Sequence, residues 1–163
     1  MLRHILITCF LALPTTGMAQ DVDFSPSFTN DCISGGGGTE CIGASANACM
    51  EATEGGFSTA GMNGCLDMEF AFWDAELNRA YQSLMEFEEA IDTQSAKSEP
   101  DRPSGAQALR DMQRSWIAYR DATCNYEILQ WYGGTGASPA WLSCTMRLTG
   151  QQAMYLSDML VQG

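Results

Sequence analysis

Histidine is all but missing from this chain: the single one, His4, lies in the amino-terminal stretch. That stretch reads as a removable export signal. Arg3 and His4 open it, an apolar run covers 5–13, and Gly17-Met18-Ala19 places small residues where signal peptidase cuts. The run is too short to span a bilayer as a helix, and no later segment is a better candidate. Cys9 sits inside the apolar run and not at its end, so it does not mark a lipid-anchored product. If residues 1–19 are removed, no imidazole remains, which excludes Ser-His and Cys-His nucleophile systems and histidine general bases. Paired carboxylates could still act on glycans. Among 20 Asp and Glu, however, close acidic pairs arise by chance.

Basic residues are scarce as well. Eight Lys and Arg against 20 acids give a formal charge of −12, and −13 once Arg3 is gone. Nucleic acids and anionic membranes favour basic patches, so neither is an expected partner. A cationic protein partner is favoured, and high solubility follows in any case.

No C-x-x-C pair occurs, which argues against a zinc site and against any metal or cofactor. Without Cys9, six of the seven cysteines are left: Cys32, Cys41, Cys49, Cys65, Cys124 and Cys144. An even number in an exported chain reads as three disulfides.

No alternating strand pattern of useful length exists either, and what is present is helical. Residues 20–43 carry many turn signals and no apolar period, an irregular arm tethered by Cys32 and Cys41. A short helix over 44–54 carries Cys49 and stops at Gly55-Gly56. Leu66, Phe70, Trp73, Leu77, Tyr81 and Leu84 then recur at steps of three and four, so a long helix covers about 62–92, capped by Thr59 or Asn63. Residues 93–103 form a polar loop. Ser104 with Gln107 makes a capping box opening a second long helix, which continues to about Tyr132 and stops at Gly133-Gly134. Ser138-Pro139 begins the third, with Leu142, Met146, Thr149, Ala153, Leu156 and Leu160 on one face. The expectation is an all-α, disulfide-bonded bundle of three long antiparallel helices, up-down-up, over 44–163.

The densest motif is Gln113 to Cys124, QRSWIAYRDATC. On a helix Trp116, Arg120 and Cys124 share one face, and Met112, Trp116, Tyr119, Thr123 and Tyr126 form an overlapping stripe. In a structural role, Trp116 and Tyr119 fill the seam between helices and Cys124 cross-links to a neighbour. Arg120 then lies by the indole and pairs with Asp74, Glu76 or Asp121. Gln113 and Asn78 would fix helix register by hydrogen bonds. In a binding role, the same Trp, Arg and Tyr form an exposed recognition face. The structural role is the expected one.

The span from Cys49 to Leu156 resembles the LprI-like lysozyme-inhibitor family of small exported helical domains. The resemblance rests on pieces in order: Thr59-x-x-Met62-Asn63-x-Cys65; Asp74-x-x-Leu77-Asn78-x-x-Tyr81; Gln113-x-x-Trp116-x-x-Tyr119-Arg120-Asp121-x-x-Cys124; Gly133-Gly134-Thr135; and Cys144-x-x-Arg147 with Leu156. It implies a non-catalytic inhibitor of lysozyme, exported to the periplasm of a bacterium or secreted. The alternative is a periplasmic structural or stress protein that binds some other basic partner. An enzyme is the least supported reading.

Six cysteines allow 15 pairings. Cys124 and Cys144 flank the short turn between the second and third long helices, within bridging reach, so they are expected to pair. By elimination Cys49 pairs with Cys65 and Cys32 with Cys41. A loop held this way, Gly133-Gly134-Thr135-Gly136 and on to Ser138, is expected first as a plain helix–helix turn, and it is also the candidate partner-binding element. Composition leaves the oligomeric state open.

Overall fold

The computed structural model describes residues 21–162, so the export-signal reading of 1–19 lies outside the described residues. Five α-helices and one short 3-10 turn make up the fold: α1 Ser27–Ser34, the 3-10 turn Thr39–Cys41, α2 Ala44–Ala52, α3 Thr59–Ser95, α4 Gly105–Leu129 and α5 Ala137–Gln162. Among the described residues there is no strand. The all-α architecture and the three long helices are as the stripes predict.

Helix α3 is the axis. Its 37 residues extend over about 55 Å at 1.5 Å per residue. The stripe lands as expected: Leu66, Trp73, Leu77 and Leu84 are buried, and they meet Met146, Ala153 and Leu156 of α5 in one core with Ala46 of α2. Burying each large side chain of this kind contributes about 1.5–3 kcal/mol. Helices α3 and α5 run parallel, and Asn63 near the start of α3 bonds the Ser138 hydroxyl near the start of α5 at 2.9 Å. Helix α4 runs back between the two ends. Its Leu109, Met112 and Trp116 lie half-buried against the core, and Gln113 Oε1 accepts from Gln152 Nε2 of α5 at 3.1 Å.

The helix ends differ from expectation in instructive ways. Ser58, not Thr59 or Asn63, caps α3 through the Gly61 N–H. Ser104 caps α4 through the Gln107 N–H, but the Gln107 side chain turns outward to Asp111. The other half of the capping box is replaced by Asp92, whose carboxylate takes the Gly105 and Ala106 N–H groups and the Ser104 hydroxyl. Helix α4 ends at Leu129, three residues before Tyr132, and α5 begins at Ala137, before Ser138. Ser138 is freed to bond Asn63, and Pro139 still sits in the first turn, where a missing N–H costs no helical bond.

The arm is where the sequence reading fails most. The stretch read as irregular contains regular structure: α1 and the 3-10 turn lie within 21–43. Helix α1 shows no apolar period because its buried contact is polar. Thr29 is fully buried; its hydroxyl accepts from the Ser45 N–H at 3.1 Å while its own N–H donates to Ser45 Oγ at 3.0 Å. All three expected disulfides are present: Cys32–Cys41, Cys49–Cys65 and Cys124–Cys144, with Cα separations of 5.6, 5.6 and 5.5 Å. The first ties the arm to itself, the second ties α2 to α3, and the third ties α4 to α5.

Candidate interaction surface

The end of the bundle where α4 turns into α5 collects most of what could meet a partner. From Gln130 onward the chain descends through consecutive turns, closed by bonds from Gln130, Trp131 and Tyr132 N–H to Glu127, Ile128 and Leu129 carbonyls. Gly133 then takes φ +79°, a left-handed value that glycine adopts without penalty. Gly134, Thr135 and Gly136 complete the loop. Gly136 has a packing reason: a Cβ there would sit 2.1 Å from a carbon of the Trp131 ring. The six-membered ring of the indole therefore packs against Gly136. Cys124–Cys144 closes the base of this hairpin from below, and Arg147 pairs with Glu127 across it at 2.8 Å. The predicted loop is thus a braced structure.

Beside the loop lies a cleft of about 660 Å³ between α2, α3, α5 and the 3-10 turn. Met50, Met62, Leu66 and Met146 provide apolar lining, and Asn47, Thr135 and Arg147 polar groups. Phe57, Tyr126, Leu129 and Trp131 are all at least half exposed at this same end.

The Gln113–Cys124 motif splits between the two roles. Gln113 and Cys124 face inward, to Gln152 and Cys144. Trp116 is only half-buried, with the Arg120 guanidinium carbon 5.1 Å from its ring centroid. Arg120 pairs with Asp121, its own neighbour, at 2.8 Å; Glu76 is instead engaged by Arg79, and Asp74 by Asn78. Tyr119 does not fill the seam: it is 60 % exposed. Asn78 does not set register between helices either, because its amide bonds Asp74 one turn back on α3 at 3.0 Å. Leu77 is buried in the core, and Tyr81 packs half-buried against it.

Sequence reasoning missed Glu69, the most connected side chain of the interior. Fully buried, it accepts from the Thr29 hydroxyl at 2.9 Å, the Gly43 N–H at 2.7 Å, the Ala46 N–H at 2.6 Å and Trp73 Nε1 at 3.0 Å. A carboxylate from α3 thereby caps the start of α2, where N–H groups have no helical acceptor, and anchors α1 as well. The signal was in the sequence. Glu69 lies three residues after Leu66 and four before Trp73, an acid within the apolar row.

Among the described residues Glu69 is the one fully buried carboxylate, and it is saturated by donors. Among the described residues no group of three or more His, Cys, Asp or Glu could hold a metal ion, and no helix is long and apolar enough to cross a membrane. Asp92, half-buried in the last turn of α3, has its pKa held below the usual aspartate value, first by the Ser104 hydroxyl and then by the Gly105 N–H.

Comparison with known proteins agrees with the motif order. The family model described as lysozyme inhibitor LprI matches residues 49–156. An uncharacterised protein of Rhizobium meliloti (strain 1021) is 28% identical over 126 residues, covering 74% of this chain and 88% of that protein. No solved structure matches.

Proposed function

The chain belongs to the lysozyme inhibitor LprI family, and from that premise we propose that it is an exported, non-catalytic binding protein. It protects the cell envelope by blocking the glycan cleft of a basic lysozyme. The observation that carries this reading is the family match across 49–156, which takes in α3, α4, the braced hairpin and most of α5. Three disulfides suit an oxidising compartment, the periplasm above all. The formal charge of −12 steers a cationic enzyme toward the chain at long range, which raises the encounter rate. Steering does not block a cleft; a rigid protrusion does, and the hairpin 130–136 is the braced protrusion of the described residues.

The test is a turbidity assay of bacterial cell walls with a basic c-type lysozyme and the oxidised protein. Slowed clearing supports inhibition. Unchanged clearing with no binding sinks it, and clearing by the protein alone would make it an enzyme.

A further inference from the structure

We propose that Tyr132 is the side chain that enters the lysozyme cleft, occupying the place of a sugar ring; this rests on the inhibitor reading above. Two independent features converge on this residue. It is 94 % exposed, more than any other large hydrophobic side chain of the described residues. Its φ of +47° makes it the sole non-glycine residue there with a left-handed backbone. Such a conformation crowds Cβ, which is why helix ends usually place Gly or Asn in it. Folding alone gives no reason to keep a bulky ring at this position, and residues held in disfavoured conformations cluster at functional sites. Its neighbour Trp131 behaves in the opposite way, turned back over Gly136 as a platform.

The base of the hairpin is closed by Cys124–Cys144, so the ring is presented with little ordering left to do on binding. The electrostatics also fit a basic occupant. Among the described residues, Arg79, Arg110, Arg114, Arg120 and Arg147 all pair with carboxylates. The other two cations, Lys97 and Arg102, belong to the α3–α4 turn at the far end of α4. The hairpin end therefore offers no unpaired cation, while Glu51 is exposed in the last turn of α2 nearby. A cleft that binds a hexose polymer accepts flat rings by their faces and offers a catalytic carboxyl pair. A phenol suits both, with its ring in a sugar site and its hydroxyl donating to a carboxylate.

The experiment measures affinity of the full oxidised protein for a basic c-type lysozyme, with and without a saturating trimer of N-acetylglucosamine. Tyr132→Gly removes the ring and relieves the backbone. The expected result is an unchanged or higher melting temperature with affinity lowered by at least about tenfold, the scale of an interface anchor. Tyr132→Asn, which also tolerates the left-handed region, should match it. Wild-type binding should be displaced by the trimer. Equal affinity of wild type and Tyr132→Gly, or binding that the trimer leaves intact, overturns the proposal while inhibition by another element stands. Absence of wild-type binding overturns both the proposal and the inhibitor reading.

Discussion

Helices α3 and α4 have the same kind of amphipathic stripe in sequence and opposite fates in the fold. Eight residues of α3 are buried, from Gly61 to Leu84, whereas α4 buries only Ala106 and Cys124. The first is clasped by α5 on one side and by α1 and α2 on another, with Glu69 at the junction. The second lies along the outside and is attached at discrete points: Asp92 at its start, Gln113–Gln152 in the middle, Cys124–Cys144 near its end. An apolar period specifies a helix with a face. How much of that face is covered depends on the neighbours, and the tertiary fold settles it. Tyr119 and Tyr126 remain in solvent for this reason.

The sharpest way to break this contrast is at Glu69. Glu69→Leu leaves four buried donors without an acceptor, at about 1–3 kcal/mol each, so a loss of at least about 4 kcal/mol is expected. Denaturant unfolding measures it; a loss under 1 kcal/mol would mean that the arm and α2 dock independently of the carboxylate. Next come the two tryptophans. Trp73→Ala, in the core, should cost about 3–5 kcal/mol. Trp116→Ala, half-buried on α4, should cost about 1–2 kcal/mol for the smaller area it covers. Equal costs would place α4 on the same footing as α3 and erase the distinction.

Cutting the clasp on α4 has a more local effect. Replacing Cys124 and Cys144 together by Ser should remove about 3 kcal/mol of loop-closure stabilisation. Hydrogen exchange should then accelerate in α4 and the hairpin before α3. Uniform acceleration across both helices would show that the outer helix unfolds only with the whole. The smallest effect belongs to Asp92. Its folded pKa is lowered, so the stability it contributes is present above the unfolded value of about 3.9 and fades as pH falls through the lower folded value. Asp92→Asn should flatten that part of the acid unfolding curve, leaving α3 unaffected. An unaltered curve would remove the cap from the list of α4 attachments.

Much of the architecture was legible because stripes of three-and-four spacing need little context. Leu66 to Leu84 and Met146 to Leu156 read as core and are core. Helix α1 was illegible for a physical reason: it buries Thr29, and a threonine at one position makes no period. Glu69 was overlooked because an acid is ordinarily assigned to solvent, although its place between Leu66 and Trp73 put it inside. At the hairpin, the glycines announced a turn after α4. Tyr132 was read as the last helical residue, since nothing in its identity signals a left-handed backbone. The Gln113–Cys124 motif read as seam holds for Gln113 and Cys124, and fails for Tyr119.

Among the described residues the three cystines join each cysteine to the next one along the chain: 32 to 41, 49 to 65, 124 to 144. For a polypeptide threading amino end first into an oxidising compartment, this order matters. Whenever an even-numbered thiol emerges, the only reduced thiol already waiting is its native mate. Of the 15 pairings open to six free cysteines, vectorial emergence selects the native one. On such a route the native set needs an oxidant and no reshuffling, and the framework is complete once Cys144 has passed through.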